Sequence, residues 1–350
     1  MHNSASPTGP IFIIGIRSRS GTTYLSHLLR LHPDCCDVPA PIWEDFLLTH
    51  ADLLAKYARS TYRHWHHWVI AEGVEEKLED KLLQSIGDGL IAFLSSRVRS
   101  RRLVTKMPGV RNLPYFFKLF PQAHLLLLVR DGRAVVESAV KTSGYKPSSL
   151  RYELAMRSWA RGAKAILRFA QATQSSSDYK YLIVRYEDIW NNLPEELSRI
   201  FTFLGLDSST YDFNAATNLA IRGSSVFRGG EEKVQWKTPV EKTSEFDPMS
   251  RWNHWSPALH ERFSWIAGEY LEPFHYQGKA CKTSRPLWMI RNLVLDIIWP
   301  IRFSLHAVSR TLKRALKKCF GEERVSRVRR SIFTSRSWGR NPSKAMGSNS

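Results

Sequence analysis

The chain has 350 residues, enough for one large α/β domain with a well-buried core or two small ones, and its hydrophobic content of 43% excludes a disordered chain. The net charge is +19, unevenly spread: from Lys282 onward 16 Lys and Arg face only Asp296, Glu322 and Glu323, so the tail carries +13 and residues 1–281 carry +6. Four cysteines, two of them adjacent at Cys35 and Cys36, make neither a disulfide framework nor a zinc motif, and a reducing compartment is expected.

The N-terminal MHNSASPTGP lacks a basic segment followed by an apolar one and does not read as a signal peptide. Residues 1–9 are expected to be disordered. Short apolar runs at Ile11–Gly15, His124–Val129 and Tyr181–Val184, with Leu103–Lys106 as a fourth, read as strands buried on both faces. Helical sequence follows each of the three: Thr22–Leu31, Gly132–Lys141 and Leu193–Phe203, the last with Pro194 near its start and Gly205 beyond its end. Strands alternating with helices predict a mostly parallel sheet covered on both sides. Further helices are expected near Glu44–Ala58, Glu75–Val98, Ser148–Ala172 and Pro257–Leu271, with a long polar loop over Ser224–Met249. There is no internal repeat.

The most informative segment is IFIIGIRSRSGTTYLSHLL, residues 11–29. A buried strand enters a turn of Arg17, Ser18, Arg19, Ser20 and Gly21, and Thr22 and Thr23 open a helix. Unpaired N–H groups and the positive end of the dipole make such a helix start an anion site. Gly21 admits close backbone approach, the threonine hydroxyls add donors and Arg19 adds a full charge. The triphosphate-binding loop is excluded: five residues, not four, separate Gly15 from Gly21, and Thr22 stands where its lysine belongs. A strand–turn–helix that is merely well capped is the plainer alternative.

A second segment, LLLLVRDGRAVVESAVKT at residues 125–142, places Arg130 at a strand's end and Ser138 about two turns into the next helix. A guanidinium and a hydroxyl so placed can hold a phosphate. A buried Arg130–Asp131 ion pair capping the strand is the alternative.

The string Arg19-Ser20-Gly21-Thr22-Thr23 after an apolar strand, followed by a helix and His32-Pro33, resembles the 5′-phosphosulfate loop of the sulfotransferases that use 3′-phosphoadenosine 5′-phosphosulfate (PAPS). The branch it resembles includes tyrosylprotein-type and bacterial enzymes. Arg130-Asp131 with Ser138 resembles the family's 3′-phosphate signature. Thr105-Lys106-Met107-Pro108, Arg185-Tyr186-Glu187-Asp188 and Phe203-Leu204-Gly205-Leu206 resemble its weaker segments, and the likeness runs over about residues 10–277.

The resemblance implies a three-layer α/β domain like that of the P-loop NTPases over residues 10–280. A basic amphipathic helical extension at 281–338 and a disordered end at 339–350 follow. It implies that Arg19, Ser20, Gly21, Thr22, Thr23, Arg130, Ser138 and Tyr186 bind PAPS as co-substrate, and that Lys106 and Arg19 stabilise the leaving phosphate. A glutamate after His-Pro takes the acceptor's proton. Glu44 is the choice, with Asp45 and Asp34 behind it, although Glu44 could instead be a first-turn helix acid complementing the dipole. The stretch after Lys106 holds no histidine base of the aryl-type enzymes. Arg222, Arg228 and Lys233 are candidates for the loop that closes over the nucleotide.

No metal is expected, and the cluster Tyr62–Trp68 is an aromatic wall or a partly buried helix face, not a ligand set. The acceptor bears a hydroxyl or an amine, with carbohydrate, lipid and small metabolite all open. Competing functional readings are a nucleotide-dependent phosphotransferase and a non-catalytic, membrane-associated nucleotide-binding protein. Family members of the secretory route usually carry an N-terminal anchor, so a cytoplasmic protein is expected. The basic tail could lie on an anionic membrane surface or pack its apolar face on the domain; nucleic acid binding is the weaker reading of the same charge. Nothing in the sequence speaks to oligomeric state.

Overall fold

The structure is a computed structural model, and it describes residues 9–71, 77–96, 101–142, 148–174, 179–221, 247–278 and 285–335. The expected termini, most of the Ser224–Met249 loop, and Arg222, Arg228 and Lys233 lie outside the described residues. The chain divides into two units, 1–281 and 282–350.

The first unit is built on five strands: β1 (Ile11–Gly15), β2 (Cys35–Asp37), β3 (Arg102–Met107), β4 (His124–Val129) and β5 (Tyr181–Arg185). Their order is β2-β3-β1-β4-β5, and all pairs are parallel. Its helices in chain order are α1 (Thr22–Leu29), α2 (Ala51–Ala71), α3 (Leu78–Ser95), α4 (Phe116–Leu119), α5 (Gly132–Lys141), α6 (Ser149–Thr173), α7 (Tyr186–Asn191), α8 (Leu193–Leu204), α9 (Phe213–Thr217) and α10 (Pro257–Ala267).

The apolar runs follow from burial on both faces. In β1, Phe12 and Ile14 join a core with Leu125 and Leu127 of β4 and with Val135, Trp159 and Phe263 of α5, α6 and α10. Ile11 and Ile13 point the other way, into a core with Leu126, Leu128, Leu25 of α1 and Ile200 of α8. Successive strand residues face opposite sides, so a strand with a core on each side must be apolar throughout. The result is three layers, and the expected mostly parallel sheet is wholly parallel.

Two expectations are corrected. Glu44 does not begin a helix: residues 44–46 are irregular, a 3-10 turn covers Leu47–His50, and α2 starts only at Ala51. The helix was expected there because 44–58 has helical spacing, but the Asp45 carboxylate captures the N–H of Leu47 at 2.9 Å and holds the segment in a turn. The edge strand β2, three residues long, was not anticipated. It carries too few residues to show a period and exists through pairing with β3.

The second unit contains α11 (Arg285–Ser335), one continuous helix with Pro300 inside it. No helix among the described residues is long and apolar enough to cross a membrane.

Candidate functional site

The carboxyl ends of β1, β3, β4 and β5 meet on one edge of the sheet, and chain order reverses direction about β1. In parallel α/β sheets ligands bind in the crevice outside such a switch point. Here the loop after β1 and the starts of α1 and α5 fill that edge.

Gly21 is the N-cap of α1 with φ of 101°, a left-handed conformation that side chains resist. A Cβ there would lie 2.4 Å from the ring of Tyr186, so the loop and that ring meet at a distance only glycine permits. Arg19 also has positive φ, 80°, a conformation that costs roughly 1–3 kcal/mol and persists where surrounding contacts over-determine it. The Ser20 hydroxyl is buried and donates to the carbonyl of Arg17 at 2.6 Å, so it braces the turn from within. Thr22 is buried and Thr23 half-buried at the first two positions of α1.

The loop meets the β4 end directly. Arg19 donates from Nε to the Ser138 hydroxyl at 3.1 Å. Arg130 donates to the carbonyl of Arg19 at 3.1 Å and to that of Pro248 at 2.6 Å, and its guanidinium lies 4.3 Å above the Tyr186 ring. Thus Arg19, Arg130, Ser138, Gly21 and Tyr186, taken from three separate stretches of sequence, adjoin one another.

Asp131 has a different part from an ion pair with Arg130. Its carboxylate accepts from the backbone N–H of Arg133 at 2.8 Å, capping α5, and pairs with the Arg133 side chain at 2.6 Å. Its own N–H donates to Glu187 at 2.9 Å, which ties the ends of β4 and β5 together.

Positive charge accumulates with little to offset it. Burial pushes the Arg19 guanidinium down to about 10, and repulsion from Arg130 and Arg251 adds to the effect. Arg17 also falls to about 10, by burial and then by Arg161, and Arg251 is lowered by burial and then by Arg130. Buried nitrogens of Arg17 (a terminal N–H) and Arg130 (Nε) have no hydrogen-bond partner among the described residues. Buried polar groups are nearly always satisfied, so crowded cations with spare donors fit an anionic ligand. Arg251 lies within the stretch over which the sequence resembles the family, about residues 10–277, and has no assigned role there. Its approach to Arg130 joins residues 121 positions apart, and no local signal encodes such a contact.

Beside this cluster, at the end of β3, Lys106 Nζ lies 3.5 Å from Glu44 Oε1. Burial lowers the Lys106 pKa, and Glu44 opposes that shift. Asp45 fastens the two segments: its N–H donates to the Lys106 carbonyl at 3.1 Å and its carboxylate accepts from the Thr105 hydroxyl at 2.7 Å. Burial raises the Asp45 carboxyl to about 6 despite those bonds. Asp34 lies elsewhere, at the opposite end of the sheet, where its carbonyl accepts from Arg102 at the start of β3. In the Tyr62–Trp68 cluster His64, His66 and His67 are exposed, and no group of metal-ligating residues forms among the described residues.

A parallel sheet with a strand–loop–helix turn and clustered arginines at its carboxyl edge defines an α/β protein whose candidate site suits an anionic ligand. Residues 10–210 match the model of the sulfotransferase family, and the chain belongs to that family. Among similar proteins is protein-tyrosine sulfotransferase 1 of Danio rerio, 26% identical over 204 residues, covering 56% of this chain and 53% of that protein. Nodulation protein NoeE of Sinorhizobium fredii is 27% identical over 266 residues, covering 70% and 61%. The chain therefore spans about half to three fifths of the length of these relatives. A sulfotransferase domain from the olefin synthase of Synechococcus PCC 7002 is 23% identical, with a TM-score of 0.43, covering 79% of this chain and 98% of that domain.

Proposed function

We propose that the protein transfers a sulfuryl group from PAPS to a hydroxyl or amine of an acceptor. The observation that carries this reading is the meeting of two groups of residues suited to anions. The strand–loop–helix turn at Arg19–Thr23 would take the 5′-phosphosulfate, and Arg130 with Ser138 would take the 3′-phosphate, joined by the Arg19–Ser138 bond. Tyr186 beneath Arg130 holds that guanidinium in place.

The reaction is an in-line displacement with a loose transition state, so positioning and electrostatics do most of the work. The acceptor oxygen or nitrogen forms a bond to sulfur while the bond from sulfur to the bridging phosphate oxygen breaks, leaving adenosine 3′,5′-bisphosphate. Glu44 takes the acceptor's proton. Lys106 and Arg19 stabilise the charge that builds on the bridging oxygen. Lys106 lies 3.5 Å from Glu44, so the proton acceptor and the cation at the bridging oxygen stand side by side. The exposed aromatic residues Trp43 and Phe46 flank Glu44 in sequence and suit a carbohydrate, lipid or small-metabolite acceptor with an apolar face.

The test is thermal stability with adenosine 3′,5′-bisphosphate, with AMP and ATP–magnesium as comparisons, on wild type, Arg130→Ala and Ser138→Ala. At 100-fold its dissociation constant the ligand should add about 2.7 kcal/mol. A rise specific to the bisphosphate and lost in both variants is expected; an equal rise with ATP, or none, overturns the reading.

A further inference from the structure

The helix α11 carries an exposed apolar stripe of a particular period. Leu287 and Leu305, Ile290 and Val308, and Val294 and Leu312 are pairs 18 residues apart, and all six are exposed. Eighteen residues are five turns of an α-helix, so both members of each pair face the same way. Ile297 and Ile301, 74% and 64% exposed, fill the middle of the same face. The stripe runs over about 38 Å at 1.5 Å per residue.

The period discriminates between occupants. A second copy of the helix would need a 3.5-residue repeat so that one seam stays against its partner. Continued from Leu287, Ile290, Val294, Ile297 and Ile301, that repeat would call next on Ser304, Val308 and Thr311, two of them polar. The apolar residues fall at Leu305 and Leu312 instead, following the 3.6-residue period of an α-helix. Such a face stays level against a flat surface.

Charge identifies the surface. The helix sequence holds twelve Lys and Arg against Asp296, Glu322 and Glu323. Arg291 and Arg302 fall along one edge of the stripe by helical spacing. A helix with an apolar face, a basic flank and too little hydropathy to span lies in a membrane interface plane. Duplex nucleic acid would use the charge and leave the apolar stripe in water.

We propose that α11 docks the protein onto an anionic bilayer, with the Leu287–Leu312 stripe in the headgroup–acyl boundary and the basic residues against anionic headgroups. The experiment is vesicle sedimentation of the full chain, using phosphatidylcholine alone and with about one third phosphatidylserine, a content that gives a surface potential attractive to Lys and Arg. Wild type, the pair Ile297→Asp with Ile301→Asp, and the pair Arg291→Glu with Arg302→Glu are compared. A bisphosphate-induced melting rise equal in all three serves as the control that the first unit is intact.

Wild type should partition at least tenfold better onto the anionic vesicles. The aspartate pair should lose at least tenfold on both compositions, and the glutamate pair should lose the preference for anionic lipid. Absence of anionic-vesicle binding, or binding that survives the aspartate pair, overturns the proposal. So does a wild-type dimer in light scattering that the aspartate pair converts to monomer, which assigns the stripe to a second copy. Binding of a short DNA duplex more tightly than the vesicles, unchanged by the aspartate pair, overturns it in favour of nucleic acid.

Discussion

Replacing Gly21 by alanine tests whether the loop's shape, not only its charge, makes the anion site. The residue has φ of 101°, and an added Cβ would come within 2.4 and 2.6 Å of two carbons of the Tyr186 ring. Left-handed backbone costs an L-residue roughly 1–2 kcal/mol. Overpacking of this kind costs roughly 1–3 kcal/mol more, and the ring has little room to yield because Tyr186 is buried beneath Arg130. The total is about 2–5 kcal/mol, which for a domain of this size lowers the melting temperature by roughly 5–15 °C. The two parts separate in a double-mutant cycle. In a Tyr186→Ala background the clash is gone, so Gly21→Ala should then cost only the backbone share, about 1–2 kcal/mol. Thermal melts of the four proteins decide the matter. An alanine variant that melts within about 1 °C of wild type, or that costs the same in both backgrounds, would refute the close approach of loop and ring.

Two further predictions concern the Glu44 side of the site. Glu44→Gln should lower kcat by about 10²–10⁴, the usual contribution of a general base, while the bisphosphate-induced melting rise stays unchanged; a loss below about fivefold would remove Glu44 from the proton path. Asp45→Asn should change the pH dependence of stability. The Asp45 carboxyl is raised in the folded state from 3.8 to about 6, chiefly by burial. Its contribution to stability is therefore fully present below about pH 4 and is lost as pH rises through 6. Relative to the asparagine variant, wild type should lose about 2 kcal/mol between pH 4 and pH 7. Denaturant titrations at a series of pH values check this, and a flat difference, or one of opposite sign, would show that burial does not raise the Asp45 carboxyl.

What could be read from the sequence was local. Ile11–Gly15 and His124–Val129 announced themselves because a strand with a core on each face must be apolar throughout, and Gly21-Thr22-Thr23 because a helix start exposes unpaired N–H groups wherever it occurs. Arg130 and Ser138 could be paired because one ends a strand and the other lies about two turns into the helix that follows it. Tertiary structure alone decided the partners. Asp131, adjacent to Arg130, pairs with Arg133 and caps α5. Asp45, an acid beside an acid, sews its loop to β3 through Thr105 and the Lys106 carbonyl and so brings Glu44 to Lys106. Arg251 reaches the Arg19–Arg130 cluster from about 120 residues further along the chain. Periodicity and capping are properties of neighbours in sequence, whereas these contacts arise when separate strands end at one edge of a sheet, and residue spacing does not encode that meeting.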